Sequence, residues 1–413
     1  MIFRKRETPP HMRIALLAAQ PGVHRAFRWL HLQEQRIRAW QREVVAIPAP
    51  PFGEAVRAAW FADRMRDLQL SDVTVDEEGN ALGFLHPDDR TSPLVMLSAH
   101  LDTVFAAGTN LEIREEDTLM HAPGIADNGA GLAGLLAIAA ALQAAAMDTG
   151  ANVLFVANVG EEAEGNLRGM RHLFTRSSLG DRILGSIALE GAGIETVVTR
   201  GLGSRRFRVE ITGPGGHAWT DAAVPNPIAA LAAAITALLS QPIVARPRTT
   251  LNVGEIQGGT SVTSVPQSAQ ATFDIRSTEA EQMITLEVRL YRAVEDAVMA
   301  ANRGNTQQLR ATITLIGDRP AAGLRQGSRL LEAVHAVDRH LRLRTEERLG
   351  STDANIPLAL GRDAIAIGAG GTAGGIHTTH EWYDTRGRDM AMRRVLLVLL
   401  DLCSSVATAV AAG

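Results

Sequence analysis

The sequence predicts an α/β fold: a main domain with a mixed, largely parallel sheet and helices on both faces, interrupted by an inserted α+β domain. The chain has 413 residues, which is too long for a single ordinary hydrophobic core. Strand patterns alternate with helical patterns along the first half, as expected of a parallel sheet. After Gly203 the predicted order becomes β-α-β-β-α-β, the ferredoxin-like arrangement, before the first pattern resumes.

The predicted elements of the main domain come from both ends of the chain. Residues 29–70 have helical patterns that proline and glycine interrupt at 47–53. The apolar run of good helix formers at 131–146 predicts a buried helix. The other predicted elements are strands at 73–76, 81–86, 94–98, 152–159 and 364–368, a strand that ends at 187–190, a helix at 328–340 and a C-terminal helix.

The inserted domain begins with residues 206–212, which alternate like a half-buried strand. A helix follows at 226–240, with Pro227 in its first turn. The domain is completed by strands at 251–257 and 270–276, a helix at 279–302 and a strand at 308–316. We therefore assign 1–202 and 318–413 to the main domain and 203–317 to the insertion.

Composition excludes several classes of function. The formal net charge is -4 and aromatic residues are 4% of the chain, so neither nucleic acid nor an anionic membrane is an expected partner. Cys403 is the only cysteine, which excludes a disulfide framework and a thiolate zinc finger within one chain. Lys5 is the only lysine, so the body of the chain lacks a Walker A, kinase or Schiff-base lysine.

The start of the chain predicts no export signal. Residues 1–6 are positively charged, but the apolar run at 14–20 is shorter than a secretory core. No window approaches the roughly 18 apolar residues that span a membrane. We therefore expect a cytoplasmic protein.

Acidic and histidine residues follow the predicted strands of the main domain, at the edge where α/β sheets bind ligands. His100 and Asp102 are two residues apart in an extended segment, so both side chains point to one face. There a carboxylate would orient an imidazole that binds metal. Asp127 lies in a tight turn before a predicted helix, where an N-terminal cap is the alternative role.

Three further carboxylates follow strands. Glu161 and Glu162 are adjacent, and two carboxylates there repel unless a cation or a proton separates them. A solvated turn is the alternative interpretation of this pair. Glu190 ends an apolar strand.

The last candidate segment lies beyond the insertion, where His377 and His380 follow two glycines. The five segments together supply histidines and carboxylates without sulfur, the ligand set that zinc prefers. Two metals need a shared carboxylate and terminal ligands, which leaves one carboxylate to activate water. The chain has no Gly-x-Ser-x-Gly or His-Glu-x-x-His motif, and Gly213-Pro-Gly-Gly216 lacks a dinucleotide-binding context.

These blocks, in this order, resemble the co-catalytic dizinc exopeptidases and amidohydrolases that include peptidase T, glutamate carboxypeptidase, acetylornithine deacetylase and succinyl-diaminopimelate desuccinylase. The resemblance extends from about residue 36 onward. It rests on His100-Leu-Asp102-Thr, Pro123-Gly-Ile-Ala-Asp127, Glu161-Glu162 and the His377 block. In the insertion, Gly215-Gly-His217-Ala, 258–266 and Phe273-Asp-Ile-Arg276 resemble motifs of the family's lid domain.

The resemblance implies two Zn²⁺ per subunit, with Co²⁺ or Mn²⁺ as substitutes. It implies the following roles: Asp127 bridges the metals, His100 and Glu190 complete one ion, Glu162 and His377 complete the other, Glu161 is the general base, and Asp102 orients His100. His377 is preferred to His380 because the family's ligand opens the His-to-Glu block.

The resemblance also assigns roles within the insertion. Asn252 and Arg276 would hold a substrate carboxylate, although an ion pair on a strand is an equal alternative for Arg276. His217 would donate to the carbonyl oxygen of a substrate bound in the partner subunit, where negative charge develops. A homodimer through the lid domain follows from that role.

The predicted function is hydrolysis of amide bonds by attack of a metal-bound hydroxide. We expect an exopeptidase for small peptides, with the direction, aminopeptidase or carboxypeptidase, left open. An N-acyl amino acid deacylase with the same mechanism is the alternative within the enzyme class. A non-catalytic binding member of the family is the alternative from another class, and the presence of every expected ligand and of the base argues against it. The first 30 or so residues match no motif.

Overall fold

A computed structural model of the chain describes residues 8–412. The basic residues of the start, Arg4 to Arg6, lie outside the described part. The chain divides into two compact units. One unit contains the chain up to Gly201 together with the chain from Gly323 onward, and the second unit is Leu202–Ala322.

The strands are, in chain order, β1 (Ser71–Val75), β2 (Ala81–Phe84), β3 (Leu94–His100), β4 (Arg114–Glu116), β5 (Leu119–His121), β6 (Asn152–Asn158), β7 (Ile183–Leu189), β8 (Thr196–Gly201), β9 (Gly203–Thr212), β10 (Gly216–His217), β11 (Thr249–Gly258), β12 (Ser264–Val265), β13 (Ser268–Ser277), β14 (Arg310–Arg319), β15 (Ala322–Gly323), β16 (Glu346–Gly350), β17 (Asp363–Ile367), β18 (Thr372–Gly374) and β19 (Trp382–Asp384).

The helices are α1 (Pro10–Ala18), α2 (Pro21–Leu32), α3 (Glu34–Val45), α4 (Ala55–Asp67), α5 (Gly129–Ala144), α6 (Arg168–Thr175), α7 (Pro227–Leu239), α8 (Ala280–Asn302), α9 (Arg329–Leu341), α10 (Asn355–Ala359) and α11 (Arg388–Ala412), with a 3₁₀ turn at Ala163–Gly165. Within the described residues, no helix combines the length and the apolar character needed to cross a membrane.

The central sheet has the strand order β1-β2-β6-β3-β7-β17-β8-β15, and β16 pairs with β8. Strand β3 is parallel to both β6 and β7, and β17 is parallel to β7. The antiparallel pairs β1–β2, β2–β6 and β17–β8 flank this parallel centre. The predicted mixed, largely parallel sheet is therefore confirmed.

Helices cover both faces of this sheet. Every residue of β3 is buried, as expected of a parallel strand between two helical layers. Val95, Leu97 and Ala99 belong to a large core with α5 and α11, whereas Leu94 and Met96 belong to a smaller core with α6. Helix α5 is apolar around its whole circumference and is buried along nearly its full length.

The N-terminal helices α1 and α2, which carry no recognised motif, are part of this unit. Ile14, Val23 and Leu30 are buried in the large core. Arg13 donates two hydrogen bonds of 3.0 Å to the carboxylate of Asp401 in α11. The segment is therefore folded onto the main unit.

The second unit has an antiparallel sheet in the order β11-β13-β9-β14. Helices α7 and α8 pack on one face, where Phe207 and Phe273 share a hydrophobic core with Leu231 and Leu290. A separate two-stranded ribbon pairs β10 with β12. The sequence analysis did not identify this ribbon or the small sheet β18-β19-β5-β4, because strands of two or three residues are too short to show a period.

Candidate metal centre

The carboxylate of Asp127 lies between two imidazoles. Its Oδ1 is 3.1 Å from Nε2 of His100, and its Oδ2 is 3.1 Å from Nε2 of His377. The two oxygens of one side chain thus face different histidines, which is the arrangement that a bridging carboxylate requires.

Each imidazole also faces a second carboxylate. Glu190 Oε1 is 3.5 Å from Nε2 of His100, and Glu162 Oε1 is 3.0 Å from Nε2 of His377. The cluster therefore contains two half-sites, each with one imidazole, one oxygen of Asp127 and one terminal carboxylate.

The donor set suits divalent cations. His100, Asp127 and Glu162 offer ligand atoms that all lie within 4.8 Å of one another, so the group could hold a metal ion. Oε2 of Glu190 is buried without a hydrogen-bond partner in the described structure, and such an atom normally has one. Imidazole nitrogen with carboxylate oxygen is the combination that zinc and similar ions bind.

The strand ends position these ligands. His100 ends β3, Glu190 directly follows β7 and the Glu161–Glu162 pair follows β6. Strands β6, β3 and β7 are parallel neighbours, so their carboxyl ends meet at one edge of the sheet.

Asp127 precedes α5 but does not cap it. The N-cap is Asn128, whose side chain accepts a 3.1 Å hydrogen bond from the backbone N–H of Gly131. The capping role that competed with the metal role for Asp127 belongs to its neighbour, and the Asp127 carboxylate points to the histidines instead.

Asp102 contacts both His100 and the glutamate pair. Its backbone carbonyl lies 3.0 Å from Nδ1 of His100, closer than its carboxylate Oδ1 at 3.7 Å. With a proton on Nδ1 fixed in this way, Nε2, which faces Asp127 and Glu190, is the nitrogen available to a metal. The carboxylate itself accepts the backbone N–H groups of Glu161 at 2.9 Å and Glu162 at 2.7 Å. Asp102 therefore holds the buried glutamate pair beside the imidazole.

The electrostatics of the cluster favour a cation. Hydrogen bonds to Asp127 and then Glu162 raise the pKa of His377 to about 10. Burial opposes a charge on His100, but Asp127 and Glu190 outweigh it and raise its pKa well above the ordinary value. Burial raises the pKa of Glu190, whereas the two imidazoles outweigh burial at Asp127 and lower its pKa. Positive charge at this position therefore stabilises the carboxylates of the cluster.

His380, the competing ligand, lies elsewhere. It lines an open cleft of about 460 Å³ together with His121 and Glu112. His377, earlier in the same segment, has a left-handed backbone with φ of 64°, and so does Gly375 with φ of 66°. A Cβ at Gly375 would lie 2.8 Å from the carbonyl oxygen of His380, so only glycine fits this turn.

Glu381 is a site residue that the sequence analysis missed. It is fully buried, and its carboxylate accepts the backbone N–H groups of Gly124, Ala126 and Asp127 at 2.8 to 3.1 Å. Burial raises its pKa, against the effect of these three hydrogen bonds. Glu381 belongs to the His377 block, but a glutamate that directly follows an exposed histidine does not indicate a buried acid that binds three backbone amides.

Arg57 was also missed as part of the site, whereas Asp353 ends the segment Gly350-Ser-Thr-Asp353, which resembles a loop that flanks the family's substrate pocket. Asp353 is buried, accepts a 2.8 Å hydrogen bond from Asn158 at the end of β6, and has a pKa raised by burial to about 7. The buried guanidinium of Arg57 donates to the carbonyls of Ile47 at 2.9 Å and Leu101 at 2.6 Å. Burial lowers the pKa of Arg57 to about 10. A buried arginine such as Arg57 leaves no mark in a single sequence beyond its residue type.

The remaining predicted residues lie in the second unit. Asn252 on β11 pairs with Asp274 on β13, and Nε of Arg276 lies 2.6 Å from Oδ2 of Asp274. The ion pair considered for Arg276 is therefore present, with its guanidinium still partly exposed. Nδ1 of His217, on β10, accepts hydrogen bonds from the backbone N–H groups of Trp219 at 3.2 Å and Thr220 at 3.4 Å.

The carboxylate and imidazole cluster at the carboxyl edge of this α/β sheet defines a candidate site for divalent metal ions. The chain belongs to peptidase family M20/M25/M40, whose model matches residues 96–403. The match spans every ligand candidate and confirms the resemblance inferred from the motifs. The protein is a hydrolase of this family.

Solved structures share the fold. A tripeptidase from Staphylococcus aureus has 22% identity and a TM-score of 0.73, with 90% of this chain and 99% of that chain covered. Aminopeptidase PepT from Bacillus cereus has 19% identity and a TM-score of 0.70, with 89% and 98% covered. YxeP from Bacillus subtilis, described as a dinuclear metal-binding peptidase, has 17% identity and a TM-score of 0.65, with 90% and 98% covered. None of the curated proteins matches the chain.

Proposed function

We propose that the protein is an exopeptidase that cleaves small peptides with two zinc ions per subunit, for which cobalt or manganese can substitute. The observation that carries this proposal is the pair of 3.1 Å distances from the two oxygens of Asp127 to two different imidazoles. The peptidase descriptions of the similar solved structures support the choice of peptides as substrates.

Each ion would have its own terminal ligands. His100 and Glu190 would hold one ion and His377 and Glu162 the other, with Asp127 shared. Bound divalent cations supply Lewis-acid activation of water and of the amide carbonyl.

The proton transfers would belong to Glu161. It is buried next to Glu162, and the Asp102 carboxylate holds its backbone N–H at 2.9 Å. A carboxylate at that position would take a proton from the attacking water and deliver it to the leaving amine. His100 would be held for metal binding by the carbonyl of Asp102.

The second unit would act as a lid and as a dimerisation domain. Because Nδ1 of His217 accepts backbone N–H groups, its neutral ring carries the proton on Nε2, which leaves a donor for a substrate carbonyl oxygen. Asn252 and the partly exposed Arg276 would hold a substrate carboxylate. Trp219 and Val262 are 86% and 98% exposed, which favours burial against a second copy.

A substrate panel tests the proposed function. Purified protein loaded with zinc would be assayed on dipeptides, tripeptides, N-terminally and C-terminally blocked peptides, and N-acyl amino acids. Cleavage of free peptides, with two metals per chain by elemental analysis, is the expected result. Cleavage of N-acyl amino acids alone would make the protein a deacylase, and metal binding without any hydrolysis would favour a binding role.

A further inference from the structure

The loop before α4 contains a strained and exposed phenylalanine. The backbone N–H of Gly53 donates to the carbonyl of Pro50 at 2.8 Å, which closes a four-residue turn. Phe52 is the third residue of this turn and has φ of 68°. That position of a turn favours glycine or asparagine, because a side chain in the left-handed region is strained.

Packing does not account for an aromatic residue there. Phe52 is 70% exposed, and its described ring contact is with the guanidinium of Arg168, whose carbon lies 5.0 Å from the ring centre. Arg168 is in turn paired with Glu54 at 2.7 Å and Glu78 at 3.0 Å. The guanidinium charge is thus compensated, and most of the ring surface is open to solvent.

Two connections hold this loop beside the candidate metal centre. The backbone N–H of Thr103, the residue after Asp102, donates to the carbonyl of Ala49 at 2.9 Å. Arg57 joins the carbonyls of Ile47 and Leu101 from within the core. The loop is therefore anchored to the segment that directly follows His100.

A third connection reaches the glutamate pair. The backbone N–H of Arg168 donates to the carbonyl of Gly160 at 3.3 Å, and Gly160 directly precedes Glu161. A Cβ at Gly160 would lie 2.5 Å from Cγ of Arg168, so the arginine that supports the Phe52 ring packs directly on this strand end. The exposed ring therefore contacts an arginine that is bonded to Gly160, the residue before the proposed base.

We propose that Phe52 is a specificity-determining residue that packs against an apolar side chain of the substrate next to the scissile bond. The inference rests on the proposed peptidase function and adds the class of peptide that is preferred. Strained residues cluster at functional sites, and an exposed aromatic ring offers a large apolar contact. A phenylalanine that served only the packing of the core would be buried.

The test compares wild type with Phe52→Gly, Phe52→Tyr and Leu16→Ala on six dipeptides: Gly-Gly, Ala-Gly, Leu-Gly, Phe-Gly, Gly-Leu and Gly-Phe. We expect wild type to prefer peptides with leucine or phenylalanine on one side of the bond. Phe52→Gly should reduce kcat/KM for those peptides about tenfold or more and leave Gly-Gly unchanged. Phe52→Tyr should keep the preference. Leu16 is 64% exposed on α1, so its variant controls for the loss of any exposed apolar side chain.

Thermal unfolding separates specificity from folding. Because glycine adopts a positive φ without strain, Phe52→Gly should unfold at the wild-type Tm or above it. A lower Tm together with a uniform loss of activity on all six peptides would assign Phe52 a structural role and overturn the inference, and so would a wild-type ratio of kcat/KM values in Phe52→Gly. If metal-loaded wild type cleaves none of the peptides, the proposed function is wrong and the inference falls with it.

Discussion

Glu381 Oε1 accepts the backbone N–H of Asp127 at 2.9 Å, and this bond ties the loop of the shared carboxylate to the loop of His377. The same carboxylate also accepts hydrogen bonds from the backbone N–H groups of Gly124 and Ala126. The two loops are about 250 residues apart in the sequence, so this buried acid acts as a clamp between the halves of the candidate metal centre.

Removing the clamp should weaken both metal binding and the fold. Glu381→Ala leaves three buried N–H groups without their acceptor, at a cost of roughly 1–3 kcal/mol or more in unfolding free energy. The variant should therefore show a lower Tm and retain fewer metals after dialysis. Glu381→Gln keeps one acceptor oxygen, so its Tm and metal content should lie between those of Glu381→Ala and wild type. Glu116→Gln, an exposed acid on β4, is the control, and equal metal content in Glu381→Ala and this control would contradict the clamp.

Glu161→Gln should keep both metals and lose most turnover. The side chain is proposed to move protons and not to bind metal, and general bases contribute ~10²–10⁴-fold. Single-turnover rates of zinc-loaded protein and elemental analysis give the two readouts. Glu164→Gln, an exposed acid three residues away, should match wild type. Near-normal rates in metal-loaded Glu161→Gln would remove Glu161 from the mechanism.

The two histidines of the last segment should differ in their effect on metal content. His377 Nε2 lies within 3.1 Å of Asp127 and Glu162, whereas His380 lines a separate cleft. His377→Ala should therefore bind one metal per chain, and His380→Ala should bind two. Metal counts that depend on His380 instead would reverse the assignment.

Metal binding should release protons and should strengthen as the pH rises. In metal-free protein, Asp127 and Glu162 raise the pKa of His377 to about 10, so its imidazole is protonated at neutral pH. An imidazole must lose this proton to bind a metal, so protons compete with the metal, and affinity falls as the pH falls. Calorimetric titration with zinc in buffers of different ionisation enthalpy counts the released protons. His377→Ala should release fewer, and a binding constant independent of pH between 6 and 8 would contradict the prediction.

The proposed homodimer can be tested by complementation. Glu161→Gln and His217→Ala chains, each inactive alone, would be mixed and allowed to exchange subunits. If His217 serves the partner's site, one of the two sites in each mixed dimer has an intact base and an intact partner histidine, and activity should return toward half of the wild-type value per mixed dimer. Verified mixed dimers without activity, or an active monomer, would show that His217 does not act across the interface.

The sequence alone predicts those features that depend on neighbouring residues. The apolar strands, the buried helix α5 and the placement of His100, Glu162 and Glu190 at strand ends follow from local periodicity and from the rule that parallel strands end at one edge. The order of the motifs was sufficient to identify the family, as the match over 96–403 confirms.

Only the tertiary structure decided which atoms meet. The sequence could not show that the two oxygens of Asp127 face His100 and His377, which lie 27 and 250 residues away. Nor could it show that the Asp102 carboxylate holds the amides of the glutamate pair, or that Glu381 is buried. Hydrogen bonds act over about 3 Å, and whether remote segments approach that closely depends on sheet order and packing, which a local pattern does not contain.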